Sequence, residues 1–238
     1  MFRFVTKKEY WAIDDSGLMA QLPPAEFAWH LKSIQDAMAY KYLYQFNGKI
    51  VAEVGGGNSR VLPALARQNS CYNIDPLEGL GGGPETNLLP TEIVNVKALL
   101  GKSCQMIKDA TFDVLFSISV VEHVPTDDLE SFFADNRRIM KGGGCSLHLI
   151  DIYTSEEPSP DSIKRSRLAS EVFFQYFRPM TDEIIGQNGN WDEALRFHCR
   201  YATNPDNIMN TWNKLVLMLR KVREEQQSCT LILAGFAK

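Results

Sequence analysis

The sequence predicts an α/β fold built on a doubly wound, mostly parallel β-sheet. The apolar stretch Lys49–Val54 runs into the glycines Gly55–Gly57, and a helix is expected over Val61–Arg67. A second apolar strand, Cys71–Ile74, follows closely. The near-continuous apolar stretch Phe112–Ile118 suits a strand buried on both faces at the centre of a sheet. Strands that alternate with helices in this way are typical of parallel sheets.

Length and composition narrow the class of protein. With 238 residues, 45% of them hydrophobic and 23% charged, the chain suits a globular domain with one elaboration. A net charge of −4 without a block of like charges argues against nucleic acid as the main partner. Five scattered cysteines without a CxxC pair indicate a reduced, cytoplasmic setting. We expect neither a signal peptide nor a membrane span.

The first 47 residues precede the glycine motif. Their first part carries four aromatic residues, namely Phe2, Phe4, Tyr10 and Trp11. It is expected either to strap over the sheet or to close over the substrate as a lid. Ala25–Phe46 has apolar residues at intervals of three and four, which predicts a helix that ends at Asn47-Gly48.

The polar residues near the glycines indicate the kind of ligand. Glu53 stands at the end of a buried strand, where a carboxylate costs several kcal/mol unless it is compensated. A pyrophosphate would repel this carboxylate, whereas a ligand with an ammonium and a sulfonium group would suit it. Arg60 stands where a dinucleotide fingerprint has its third glycine. Asp75 follows the glycines by about 20 residues, where an acid that binds ribose hydroxyls is expected.

Three ordered motifs resemble the class I S-adenosylmethionine (SAM)-dependent methyltransferases, nearest to the type 11 and 12 small-molecule enzymes. The first is Glu53-Val-Gly55-Gly-Gly57-Asn-Ser59, in which Ser59 replaces the family's last glycine. Phe112–Pro125 is similar to the fourth motif, and Arg138–Ile152 to the helix, glycine turn and fifth strand. The resemblance implies seven strands, the last of them antiparallel, and an insertion after strand five.

The resemblance also implies a set of binding residues for SAM, with S-adenosylhomocysteine (SAH) as product and no metal. Ser117 and Ser119 belong to this set because they end the fourth strand. The residue that meets the adenine is left open, with Ser103 and Cys104 as weak candidates. The expected cofactor-binding residues are Glu53, Gly55, Gly56, Gly57, Asn58, Asp75, Pro76, Ser117 and Ser119.

A proton acceptor is expected at the carboxyl ends of strands four and five. His123 is the first candidate, because imidazole titrates near neutrality. Asp151 is the second, and it could instead bind the acceptor. His148 lies in mid-strand and is expected to be structural.

The chain divides into four predicted parts. Residues 1–47 form the strap or lid, 48–152 the SAM-binding core, 153–190 a substrate-side insertion and 191–238 the rest of the core sheet. In the insertion, four aromatics of residues 173–177 either pack on the core or line an acceptor pocket. The glycine-rich loop after Asp75 either flanks the adenosyl pocket or is a surface excursion. Leu195–Tyr201 is expected to be strand six, Pro205–Glu225 a helix and Cys229–Ala237 the closing strand.

The main functional hypothesis is a methyltransferase that acts on a small-molecule or glycan acceptor at oxygen, in secondary metabolism or polysaccharide modification. An aminopropyltransferase-like enzyme and a non-catalytic SAM-binding protein are the alternatives. Neither nucleic acid nor membrane is an expected partner, and the aromatic N-terminal segment is compatible with a homodimer contact.

Overall fold

The computed structural model describes residues 1–24, 31–80, 83–86, 88–102, 104–203 and 217–238. Within them, eight strands belong to one sheet: β1 Phe2–Phe4, β2 Ile50–Val54, β3 Ser70–Ile74, β4 Val94–Val96, β5 Phe112–Ile118, β6 Met140–Thr154, β7 Phe177–Pro179 and β8 Gln227–Ala237. The order is β1-β8-β6-β5-β2-β3-β4, and β7 pairs with β8 beside β1. Strands β2 to β6 are parallel, whereas β8 is antiparallel to β6. The prediction of a mostly parallel sheet with an antiparallel last strand is confirmed.

Helices cover both faces of this sheet. They are α1 Lys7–Asp15, α2 Leu31–Leu43, α3 Val61–Leu65, α4 Leu129–Ile139, α5 Pro160–Tyr176, α6 Trp191–Ala194 and α7 Leu217–Glu225. The first three pack on one face and α4 and α5 on the other, so that two apolar layers enclose the sheet. Of the predicted helix over residues 25–46, the first six residues lie outside the described part. The same holds for residues 205–216 of the predicted helix near the carboxyl end.

The N-terminal segment is a strand of the sheet. Phe2–Phe4 pairs antiparallel with Leu231–Leu233 of β8, and both phenylalanine side chains are buried. The ring of Phe4 stacks on Tyr201 with 4.1 Å between centroids. Residues 2–4 therefore form an edge strand of the sheet and are neither a strap over it nor a lid.

The predicted sixth strand at Leu195–Tyr201 is wrong. These residues make only isolated bridges, at Arg196 and Tyr201. Only the two ends of the segment are buried, and residues 196–200 are exposed. A mostly polar segment gains little from lying along the sheet, so the apolar strand β1 holds the edge position beside β8.

The aromatic group in the insertion belongs largely to the core. Phe173 and Phe177 are fully buried and stack with 4.4 Å between their centroids. Phe173 also meets Phe133 of α4 edge-on. Helix α5 is thereby anchored on the sheet, and this anchoring matters for the site below.

In the described part of the chain, no helix combines the length and the apolar character needed to cross a bilayer.

Candidate active site

Four strands bring polar side chains to one edge of the sheet. Glu53 is the penultimate residue of β2, Asp75 follows β3, Ser119 follows β5, and Asp151 lies near the end of β6. Because these strands are parallel, their carboxyl ends meet at the same edge, where ligands bind in open α/β sheets.

The glycine loop after β2 has no room for side chains. Gly55 and Gly57 have φ values of +64° and +50°, in the left-handed region. A Cβ atom on Gly56 would lie 2.6 Å from Oδ1 of Asn73 and 3.0 Å from Cδ of Glu53. The loop therefore presents bare backbone to a ligand, as the sequence predicts.

Glu53 is a buried acid that lacks compensation. Its side chain is 1% exposed, and Oε2 accepts no hydrogen bond from the residues that the structure describes. Burial raises the pKa of this carboxyl to about 8 against the opposing effect of Lys32 and a hydrogen bond from Ser59, and Asp36 and Asp75 raise it further. A cationic group beside Oε2 would relieve this cost.

Asp75 connects the glycine loop to the end of β3. Its Oδ2 accepts the N–H of Gly57 at 2.9 Å and its Oδ1 the N–H of Leu77 at 2.7 Å. A carboxylate oxygen has two lone pairs, so each oxygen keeps acceptor capacity for a ribose hydroxyl. The geometry is compatible with the predicted ribose contact and adds a structural role.

The loop after Asp75 lies against the glycine loop. A Cβ atom on Gly57 would meet Cδ of Pro84 at 2.8 Å. Asn58 is exposed, and its Oδ1 accepts the N–H of Leu88 at 3.1 Å, so this side chain holds the two loops together. Pro76 is half-buried at the start of the same loop. The position fits the expectation that this loop flanks the adenosyl pocket.

The side chain of Ser117 does not join the other residues that are predicted to bind the cofactor. It is fully buried, and its Oγ lies 2.8 Å from Nδ1 of His148, whose Nε2 lies 3.0 Å from Oγ of Ser146. Burial lowers the pKa of His148 to about 3, so the imidazole is neutral. Three aromatic rings surround it, those of Phe132, Phe133 and Phe173. This cluster, Ser117–His148–Ser146, suits a structural role.

Ser119 and Asp151 meet through a residue that the sequence did not single out. Oγ of Ser119 donates to Oε1 of Gln35 at 2.8 Å and to Oδ1 of Asp151 at 3.3 Å, and Nε2 of Gln35 donates to the same Asp151 oxygen. Gln35 is fully buried on α2, among the apolar residues of that helix. The sequence signal that could have singled out Gln35 is a polar residue on the apolar face of a predicted helix. Ser119 itself has a φ of +54°.

Glu122 is the second residue that was missed. Its Oε1 accepts the backbone N–H of Asp151 at 3.3 Å, and its Oε2 is buried without a hydrogen-bond partner among the described residues. Burial and the charge of Asp151 raise the pKa of Glu122 to about 8. Burial likewise raises the pKa of Asp151, although Gln35 and other neighbours oppose it. Two adjacent acids thus share this end of the site.

His123 lies next to this acid pair. It is exposed at the end of the 3₁₀ turn Val121–His123 that also carries Glu122. Its charge is one of the influences that lower the pKa of Asp151, so the two predicted catalytic residues are within electrostatic range. Their predicted roles stay predictions.

Helix α5 holds the turn in place. Nη2 of Arg165 donates to the carbonyl oxygens of Val121 at 2.8 Å and Val124 at 2.5 Å, and Nη1 donates to the hydroxyl of Thr126 at 3.2 Å. The predicted insertion thereby fixes the segment that carries Glu122 and His123.

The described residues contain no group of three His, Cys, Asp or Glu side chains that could hold a metal ion. The expected absence of a metal stays a prediction.

Comparison with known proteins finds a family match for the central part of the chain. Residues 52–147 match the family model described as a methyltransferase domain. No protein of curated function matches the sequence. Among solved structures, phosphoethanolamine N-methyltransferase 2 of Haemonchus contortus in complex with SAM has a TM-score of 0.55 and 13% identity over 96% of this chain. The chain spans 57% of that protein.

Two further solved structures are similar to this chain. The same Haemonchus contortus enzyme, in complex with phosphomonomethylethanolamine and SAH, again gives a TM-score of 0.55 at 13% identity, over 96% of this chain and 57% of that one. The YcgJ protein of Bacillus subtilis has a TM-score of 0.49 and 12% identity, over 86% of this chain and 98% of its own. The family match identifies residues 52–147 as a methyltransferase domain, and the Haemonchus contortus enzyme shares the fold of this chain.

Proposed function

We propose that this enzyme transfers the methyl group of SAM to a small-molecule acceptor at the carboxyl edge of the sheet. The observation that carries the proposal is the buried Oε2 of Glu53, which has no hydrogen-bond partner among the described residues and lies beside a glycine loop without room for side chains. Buried polar atoms in native proteins are normally satisfied, so an orphan at this position points to a ligand.

The donor half of the site consists of Glu53, the glycine loop and Asp75. The carboxylate of Glu53 compensates the ammonium of the methionine part, and the bare backbone of residues 55–57 lets the ligand approach closely. Asp75 accepts hydrogen bonds from the ribose hydroxyls with its remaining lone pairs. SAM supplies a methyl group on a sulfonium, which is a good leaving group, and SAH is the product.

The acceptor half lies at the ends of β5 and β6. His123 and Asp151 are the proton acceptors that the sequence predicts, and Glu122 joins them because it contacts the backbone of Asp151. Orienting the acceptor and excluding water are the main contributions that a protein makes to such a displacement. The oxygen acceptor and the glycan class stay predictions from the sequence. The Haemonchus contortus enzyme is named for methylation of nitrogen.

The test uses two donors in parallel, SAM labelled in its methyl group and decarboxylated SAM labelled in its aminopropyl chain. The protein is incubated with the low-molecular-mass fraction of a cell extract, and calorimetry measures SAM binding separately. Methyl label in a product supports the proposal. Aminopropyl label alone in a product would indicate the aminopropyltransferase-like reaction, and binding without any transfer would indicate a non-catalytic SAM-binding protein.

A further inference from the structure

We infer that the methyl acceptor is an amine, which binds as its ammonium ion against Glu122 and Asp151 and transfers its proton to this acid pair. The inference rests on the proposed function and names its substrate class.

The first support is the incomplete hydrogen bonding of the pair. Oδ1 of Asp151 is engaged by Gln35 and Ser119, and Oε1 of Glu122 by the N–H of Asp151. Oε2 of Glu122 is buried and accepts nothing from the described residues. This oxygen is available to a donor on a ligand.

The second support is a buried hydroxyl across from Asp151. Thr230 of β8 is the register partner of Asp151 in the antiparallel β6–β8 ladder, so both side chains project from the same face of the sheet. Thr230 is fully buried, and its Oγ1 has no partner in the described part of the chain. Thr154, on the opposite face, donates instead to the carbonyl oxygen of Gln227 at 3.2 Å. An ammonium group has three N–H donors, and the two acids with Thr230 offer acceptors for them.

The neighbouring cations leave the pair short of positive charge. Lys32 of α2, whose Nζ donates to the carbonyl oxygen of Ile118 at 3.3 Å, lowers the pKa of both acids, and His123 lowers that of Asp151. Arg165 of α5 donates to backbone carbonyls, and its charge also interacts with that of Glu122. Despite these groups the pKa of Glu122 is raised to about 8 and that of Asp151 is raised as well. One more cation would therefore be bound favourably.

An amine suits these acids better than a hydroxyl does. A hydroxyl brings no positive charge, and an alcohol gives up its proton far less readily than an ammonium ion. A bound ammonium ion opposes the burial that raises the pKa of Glu122, so the carboxylate forms as the amine binds and can accept its proton. In the step itself, the ammonium proton passes to a carboxylate of the pair. The nitrogen lone pair then bonds to the methyl carbon as the carbon–sulfur bond breaks and its electron pair stays on sulfur.

The decisive experiment identifies the methylated atom. SAM labelled with carbon-13 in its methyl group is incubated with the enzyme and the small-molecule fraction of a cell extract, and NMR of the product distinguishes N-methyl from O-methyl carbon. We expect an N-methyl product. An O-methyl product would overturn the inference and leave the proposed function standing, whereas no labelled product would overturn both.

Variants of the acid pair test its role. With the amine found above, Glu122→Gln and Asp151→Asn should each lower kcat by about a hundredfold or more while SAM affinity changes less than about threefold. Asp113→Asn is the matched control, because Asp113 faces Lys141 at the opposite end of β5. Without substrate, Glu122→Gln should melt at a higher temperature than wild type at pH 8, because a buried acid is removed. Unchanged kcat in both variants would overturn the proton-acceptor role.

Thr230→Val tests the third contact, with Thr154→Val as its control on the same ladder. Thr230→Val should raise KM for the amine about tenfold, the value of one hydrogen bond to a charged group. It should also raise the melting temperature of the ligand-free protein, because an unpaired hydroxyl is replaced by a methyl group. Thr154→Val should lower the melting temperature and leave KM unchanged. Equal effects of the two variants would exclude Thr230 from the acceptor site.

Discussion

Two polar clusters at β5 and β6 differ in whether their buried polar atoms have hydrogen-bond partners. In the Ser117–His148–Ser146 cluster both imidazole nitrogens face a hydroxyl, and the ring is neutral. In the cluster of Glu122 and Asp151 one carboxylate oxygen has no partner in the described part of the chain, and both pKa values are raised. A satisfied buried cluster holds the fold together, whereas an unsatisfied one costs stability until a ligand completes it. Glu53 belongs to the second kind.

The largest effect that follows from this comparison concerns Asp75. Asp75→Ala should weaken SAM binding by roughly 2–4 kcal/mol, about thirty- to a thousandfold, because ribose hydrogen bonds are lost together with the support of Gly57. Calorimetry would measure this loss. Asp161→Ala, on the exposed first turn of α5, serves as the control. Equal affinities of the two variants would remove Asp75 from the donor half.

Glu53→Gln should separate the ligand-dependent role of a buried acid from its cost to the fold. The variant should bind SAM at least about tenfold more weakly, because the ammonium loses its counter-charge. The ligand-free variant should nevertheless be more stable than wild type at pH 8, by on the order of 2 kcal/mol.

The sign follows from the pKa of Glu53, which is raised from its ordinary 4.5 to about 8. Between these values the folded protein holds a proton that the unfolded chain has lost, so the unfolding free energy of wild type falls as the pH rises. Denaturant unfolding between pH 5 and pH 8 should show this slope in wild type and a shallower one in Glu53→Gln. Parallel slopes would contradict the assignment of a buried, uncompensated acid.

The same distinction explains what the sequence could predict. The glycine loop, Glu53 and Asp75 lie within one continuous stretch of chain, and local pattern was enough to place them at one edge. Three further residues come from distant parts of the chain, namely Gln35 from α2, Glu122 from the turn after β5 and Thr230 from β8. Strand register brings Thr230 to Asp151, and the packing of α2 and of the turn brings the other two. Ser117 was predicted at the cofactor because it ends an apolar strand. Side chains alternate along a strand, however, and that of Ser117 contacts His148 on the far face.

Local sequence patterns could not predict the edge strand, for a related reason. Phe2–Phe4 is too short to stand out as a strand, and its pairing with β8 joins the two ends of the chain. Such pairing depends on which segment buries more apolar surface, and here Phe2 and Phe4 are buried whereas residues 196–200 are exposed.

Ser146→Ala should break the satisfied cluster without touching the ligand. The loss of its hydroxyl leaves Nε2 of His148 buried and unpaired, which should lower the unfolding free energy by about 1–3 kcal/mol. SAM affinity should stay within about twofold of wild type. A variant that folds as stably as wild type, or that binds SAM markedly less well, would contradict the division between the two clusters.

The smallest effect should come from His123, which lies beside the unsatisfied cluster but is exposed to solvent. If Glu122 and Asp151 accept the proton, His123→Ala removes only a nearby charge that lowers the pKa of Asp151. Single-turnover methyl transfer should then slow by less than about tenfold, well below the hundredfold or more that general acid–base catalysis contributes, and SAM affinity should stay nearly intact. A loss of a hundredfold or more would instead make His123 the base, as the sequence predicts. Comparison with Glu122→Gln under the same conditions decides between an exposed imidazole and a buried carboxylate as the group that takes the proton.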